Sequence, residues 1–205
     1  MTAVPLLPDR SCGPCTVCCV ALTIDDPELR KPQGFRCREL TASAGCGIYA
    51  TRPVTCRAFF CGWRSLKWVR PTLRPDVSGV LIQLRDADPE KGGVQGVNFT
   101  LLNKAALKAE GLAESVAAAV NAGVAVFLTI PGPPGYTSAS ARVDAELTAS
   151  VAARDKAGLL RVLTELHERG RVGKRAAIRI TTDAAGQAQV VLGKVRRVGQ
   201  GRLSR

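Results

Sequence analysis

After Trp68 the apolar positions of the chain fall into a regular sequence of elements. Val77 to Arg85 (VSGVLIQLR) is rich in apolar and β-branched residues and lies between Pro75-Asp76 and Asp86, which predicts a strand. Val94 to Leu101 predicts a second strand, reached through a turn at Lys91-Gly92-Gly93. Asn103 is placed to cap a helix running through Ala105, Leu107 and Leu112 to Val120. Gly123 ends it, and Gly111 within it weakens the helical pattern. Val124 to Ile130 predicts a buried strand, followed by a rigid loop from Pro131 to Tyr136. A helix is expected from about Arg142 to Arg169, broken near Gly158, with an apolar stripe of Leu159, Val162, Leu163 and Leu166. Ala176 to Thr182 and Gln189 to Val195 predict a last pair of strands around Asp183 to Gly186. The order ββαβαββ points to an α+β protein in which two or three helices pack on a layer of short strands. No internal repeat is visible.

Residues 1–70 read differently. They carry no sustained period, but they hold all eight cysteines of the 205-residue chain, between Cys12 and Cys61. This divides the protein into a cysteine-rich module over 1–70 and an α+β region over 71–205. Eight thiols suit either four disulfides in a small secreted domain or metal and redox chemistry in a reducing compartment. The first ten residues, with Pro5, Pro8, Asp9 and Arg10, lack the basic-then-apolar layout of a secretory signal. The longest apolar stretch, Val116 to Ile130, is broken by Asn121 and Gly123 and falls short of the roughly 18 residues that span a bilayer. The remaining chain is also long enough to build a core without staples. These points favour a cytoplasmic protein whose cysteines bind metal, with a reversible dithiol pair compatible with the same set.

The spacing supports metal. Cys12-Gly13-Pro14-Cys15-Thr16-Val17-Cys18-Cys19 puts two-residue gaps between thiols beside a turn-forming Gly-Pro insert, so neighbouring sulfurs converge. The one histidine, His167, lies far downstream, so a centre within the cluster is all-sulfur. Zinc and iron–sulfur clusters, including a 4Fe-4S cluster, both suit such ligands. Cys18 and Cys19 are adjacent; in an extended stretch their side chains would take opposite faces and serve different roles. Cys37, Cys46, Cys56 and Cys61 complete the set. Eight ligands make two four-cysteine sites, or one such site and a looser group.

The run Cys12, Cys15, Cys18, Cys19, then Cys37, Cys46 with Tyr49, Arg52-Pro53 and Cys56-Arg57, closed by Cys61-Gly62-Trp63, resembles the CxxCxxCC family of zinc- or iron-chelating domains, also called the YkgJ family. The resemblance covers about residues 10 to 85. It implies metal chelation and names no reaction for the family as a whole. One branch of the wider family is similar to lysine N-methylases that act on flagellin. That implies a protein-modifying enzyme as an alternative, although no methyl-donor motif stands in this chain.

Around the thiols, Arg36, Arg38, Arg52 and Arg57 can supply donors and positive charge to anionic sulfur. Tyr49 can donate its hydroxyl to a sulfur or pack into the small core. Pro53 is placed to aim Cys56, and Phe59, Phe60, Trp63 and Trp68 read as packing residues. Elsewhere catalytic candidates are few. No phosphate-binding glycine motif is present. Pro131 to Gly135 could line a ligand pocket or serve as a connector. His167 reads as exposed and structural, and Asp86 and Asp88 as turn formers.

Charge adds a third reading. The chain has 29 basic and 17 acidic residues, a formal +12, and residues 62–205 hold 22 of the former and 12 of the latter. The last dozen residues carry Lys194, Arg196, Arg197, Arg202 and Arg205 with no acid. This is either a solvated terminus or a contact for nucleic acid or another acidic partner.

Overall fold

The computed structural model describes residues 5–43, 45–86 and 95–199. The expected turn at Lys91-Gly92-Gly93, Asp88, Arg202 and Arg205 lie outside them. The protein mixes helices and strands, as the α+β expectation requires. In chain order the elements are α1 (Val17–Ala21), β1 (Ile24–Asp26), β2 (Leu29–Lys31), α2 (Val54–Ala58), α3 (Gly62–Ser65), a 3-10 turn (Pro71–Leu73), α4 (Pro75–Ser78), β3 (Val80–Asp86), β4 (Gln95–Leu101), a 3-10 turn (Lys104–Lys108), α5 (Leu112–Asn121), β5 (Ala125–Ile130), β6 (Ala139–Arg142), α6 (Asp144–Ala152), α7 (Lys156–Arg171), β7 (Gly173–Thr182) and β8 (Ala188–Val198). Among the described residues, no helix is long and apolar enough to cross a membrane.

The contacts group into two compact units that interleave along the sequence, rather than meeting at a single boundary near residue 70. One comprises 1–12, 60–130 and 140–170. The other comprises 13–59, 131–139 and 171–205.

The first unit is built on the sheet β3-β4-β5-β6, with β3 and β4 antiparallel and β4 and β5 parallel. Val80, Ile82, Phe99 and Leu101 are fully buried with Leu112 and Val116 of α5, Leu147 of α6 and Leu163 of α7. Alternate strand positions supply one side of this core, and the 3.6-residue repeat of the helices supplies the other. The opposite parity of the strands carries a polar chain. Thr129 donates to the Asn98 amide oxygen at 2.7 Å and accepts from the Ser140 hydroxyl at 2.9 Å, and Asn98 donates to Thr100 at 3.0 Å.

Several elements depart from the sequence reading. The helix expected from Ala105 to Val120 is two pieces, because Gly111 adopts a left-handed φ of 86°. A Cβ there would stand 2.5 Å from that of Arg70. Asn103 does cap the first piece, accepting from the Ala106 N–H at 3.1 Å. The long helix breaks at Arg154, φ 53°, and not at Gly158. Asp155 then caps the next helix by accepting from the Gly158 N–H at 2.8 Å. β6 was not expected, since Ala139-Ser140-Ala141-Arg142 has no β-branched residue. His167 is fully buried rather than exposed. It continues the stripe Leu159, Leu163, Leu166 at helical spacing, so the core-facing side of α7 includes it.

The second unit contains two separate antiparallel ribbons, β1–β2 and β7–β8. Its proline-rich segment is tied down locally. The Gly135 N–H donates to the Gln33 carbonyl at 3.1 Å, and Gln33 donates to the Tyr136 carbonyl at 3.2 Å. Gly34, φ 82°, passes Pro134 so closely that a Cβ would lie 2.8 Å from the proline Cα. The outer edge of β7 is held by the same segment, through Thr137 to Ala176 at 2.9 Å and Ile178 to Gly135 at 2.6 Å. This loop is thus a structural strap within its unit.

Candidate functional site

The cysteines are distributed over both units: Cys12 and Cys61 in the first, and Cys15, Cys18, Cys19, Cys37, Cys46 and Cys56 in the second. No disulfide joins any of them.

Local structure explains how the second unit gathers its thiols. Gly13 turns with φ 50° and the chain then enters the five-residue helix α1. Cys18 and Cys19 therefore sit on a helix, not in an extended stretch, and their Sγ atoms are 4.0 Å apart. A helix separates successive side chains by about 100°, so adjacent sulfurs can share a side in a way that a strand forbids. The Cys37 N–H donates to the Cys19 carbonyl at 3.1 Å, which fastens the loop carrying Cys37 against α1. Pro53 is the last residue before α2, and its carbonyl accepts from the Cys56 N–H at 3.0 Å, so it does set the start of the helix carrying Cys56. Cys19, Cys37 and Cys56, from three separate elements, join one small apolar cluster with Ile24, Leu29 and Leu40. Cys46 pairs by a β-bridge with Leu40 and lies within electrostatic reach of Cys37 and Cys56.

The hairpin β1–β2 delivers an unexpected cation to this cluster. Its register sets Ile24 opposite Lys31 and Asp26 opposite Leu29, and these four residues are its buried positions. Lys31 is only 5% exposed, and its ammonium donates to the carbonyls of Val20, Leu22 and Pro32. Burial brings its pKa down to about 8, while the sulfurs of Cys37, Cys19, Cys18 and Cys56 pull it back up. In the opposite sense, the Cys18 sulfur, Lys31 and Arg52 together bring the Cys19 thiol down to about 7 against burial. Burial pushes the Cys37 and Cys56 thiols above their ordinary range; a hydrogen bond from the Glu39 backbone opposes it at Cys37, and the charges of Cys19 and Cys37 reinforce it at Cys56. Asp26 accepts from the N–H groups of Glu28 at 3.1 Å and Thr55 at 3.3 Å, bonds that hold its carboxyl below the usual range and tie α2 to the hairpin.

The arginines and Tyr49 divide. Arg52 acts electrostatically on Cys19 and stacks 4.1 Å from the ring centre of Tyr49. Tyr49 is 56% exposed and does not pack into a core. Arg57 is exposed at the end of α2. Arg36 donates to the Thr41 carbonyl, and Arg38 to Glu39 and the Glu28 carbonyl, so both are engaged away from sulfur.

In the first unit, Cys61 is the residue before α3, and burial raises its thiol. Arg64 donates to the Cys12 sulfur at 3.8 Å and adds its charge beside Cys61. Arg10, itself 5% exposed, anchors the segment before Cys12 by donating to the carbonyls of Trp63 at 2.7 Å and Val69 at 2.8 Å.

Lys31 and Asp26 were missed by the sequence reading. The available signal was the alternation in Ile24-Asp25-Asp26-Pro27-Glu28-Leu29-Arg30-Lys31 about a Pro-Glu turn, which puts positions 24, 26, 29 and 31 on one face of a hairpin. The thiols stand near one another without forming a finished cage: among the described residues, no three His, Cys, Asp or Glu side chains are arranged to hold a metal ion. Comparison of the chain with protein-family models, with curated proteins and with solved structures gave no match.

Proposed function

We propose that the protein binds a thiophilic metal, zinc or an iron centre such as an iron–sulfur cluster, through thiolates of its cysteine-rich segment. The observation that carries this reading is the convergence of Cys19, Cys37 and Cys56 in one apolar cluster beside the buried ammonium of Lys31. The donor chemistry fits. Soft sulfur selects zinc, copper(I) or iron–sulfur centres over hard cations. A four-thiolate zinc site carries net negative charge, and a buried anion needs positive charge beside it. Lys31 and Arg52 supply that charge. Cys19, Cys37 and Cys56 would hold the metal, with Cys46 or Cys18 as the further ligand. A four-sulfur zinc would serve structure rather than catalysis, and an iron centre would add electron transfer.

The resemblance to the CxxCxxCC family supports the same reading, with a cysteine-rich metal-binding lobe formed around residues 13–59. Metal ligation by thiolates suits a reducing compartment, and the proposal places the protein in the cytoplasm. Anaerobic purification with elemental analysis and a visible spectrum tests the proposal. Zinc or iron at a stoichiometric level is expected, and it should be lost in Cys37→Ser and Cys56→Ser. A preparation free of both metals would reject the reading. Broad brown absorbance with inorganic sulfide would select an iron–sulfur cluster over zinc.

A further inference from the structure

Residues 194–198 are not a frayed tail. They form the end of β8, which pairs with β7 in a ribbon whose strands are ten and eleven residues long. The two strands carry Lys174, Arg175, Arg179, Lys194, Arg196 and Arg197 and no acidic residue. Arg175 is 2% exposed and donates to the Thr137 carbonyl at 3.2 Å, so it belongs to the strap that holds the ribbon. The other five are exposed. Among the described residues, no carboxylate lies within ion-pair distance of any of them. Asp183, in the ribbon's turn, accepts from the Ala185 and Gln187 N–H groups and the Gln189 amide.

The register makes this arrangement costly. Lys174 stands opposite Arg197, and Arg175 opposite Arg196, so two successive cross-strand pairs are like-charged. Like charges directly opposite each other destabilise a ribbon, and a two-stranded ribbon is marginal to begin with. Such a layout gains stability when an anion neutralises its exposed cations.

We propose that the ribbon β7–β8 is a binding element for duplex nucleic acid, with Lys174, Arg179, Lys194, Arg196 and Arg197 against the phosphates. Three features favour this polyanion. Strand alternation places Lys174 and Arg197 on one face and Arg179 and Arg196 on the other, and a groove walled by phosphates on both sides matches cations on both faces. A two-stranded ribbon fits the major groove, about 12 Å wide in B-form DNA. The strands hold no aromatic residue, so they offer no platform for stacking the bases of a single strand. A lipid surface would instead favour an apolar face segregated from a cationic one. The face with Leu192 and Val195, 68% and 60% exposed, is bordered by Lys174 and Arg197.

The test uses the full chain and a fluorescently labelled DNA duplex of about two helical turns, with binding followed by anisotropy as potassium chloride is varied. Log affinity should fall linearly with log salt, with a slope of about −4 if five phosphates are neutralised. The triple substitution Lys174→Gln, Arg196→Gln and Arg197→Gln should weaken binding at least tenfold and flatten the slope by about 3. The same variant should melt no lower than the parent, because it removes the like-charged pairs, so lost binding cannot be blamed on lost fold. Absence of duplex binding at low salt, an affinity indifferent to salt or to the triple substitution, or binding to anionic vesicles with none to the duplex would each overturn the proposal.

Discussion

The two units are stabilised by different means. The first buries Phe99, Leu101, Ile82, Leu112, Leu147 and Leu163 to completion in one large cluster. The second has a cluster whose buried members are Ile24, Leu29 and Cys37, and it buries Lys31 and Asp26 with them. Apolar area supplies roughly 25 cal/mol per Å², so the large apolar cluster is the main support of the first unit. The second spends part of its small interior on charged groups and thiols, whose burial opposes folding until they are paired. The lesson is that the second unit gathers thiols and a buried cation that a metal would pair, and the core of the first does not.

The sharpest way to break that contrast is to remove the proposed metal. Apparent binding free energies of structural zinc are on the order of 10 kcal/mol, and in a small site they are folding free energy. Chelation is expected to release amide protection around Cys19, Cys37 and Cys56 while Val97 to Leu101 and Val126 to Ile130 stay protected. Hydrogen exchange followed by mass spectrometry reads both regions at once, and equal loss in the two would erase the distinction. The converse cut is Phe99→Ala, which should cost about 3–5 kcal/mol through the cavity it leaves. Urea unfolding would show it, with the metal still bound in the folded fraction.

Lys31→Met separates charge from packing. It should weaken metal retention about 10- to 100-fold, the range found when an outer-shell partner is lost. The metal-free form should unfold no earlier, because its buried ammonium is gone. Competition with a chromophoric chelator measures the first effect and thermal melting of the metal-free form the second.

The smallest effect concerns pH. In the metal-free protein Cys19, drawn down to about 7, is expected to alkylate with a rate that rises through pH 7. Cys37 and Cys56, pushed up by burial, should respond only above the ordinary thiol range. The linkage signs differ accordingly. The stability that Cys19 contributes is present above its unfolded pKa and is lost as pH falls through about 7. Cys37 and Cys56 bind their protons longer in the folded state, so their contribution is lost as pH rises. Peptide mapping of iodoacetamide labelling across pH checks the order of the three thiols.

The strands of both units were largely legible because β3, β4, β5, β7 and β8 carry β-branched residues between turn signals. β6 was not, since Ala139 to Arg142 pairs through tertiary context rather than propensity. The helix boundaries failed where one residue takes a left-handed conformation, at Gly111 beside Arg70 and at Arg154. The thiols announced themselves by spacing. Lys31 did not, because a lysine beside Arg30 reads as a solvated charge until the hairpin register turns it inward. The resemblance drew attention to Arg52 and Arg57 equally, yet only Arg52 acts on a sulfur; Arg57 ends its helix in solvent.

The strap at Pro131 to Ala139 has a consequence in time. It closes on Gln33 and Gly34, and the ribbon it holds begins only at Gly173. Between Phe59 and Arg171 lie about 110 residues, which at roughly 5–20 residues per second take on the order of ten seconds to synthesise. Cys15, Cys18, Cys19, Cys37, Cys46 and Cys56 therefore leave the ribosome long before the segments that complete their unit. During that interval they are nascent thiols, open to oxidation until the strap and the ribbon emerge.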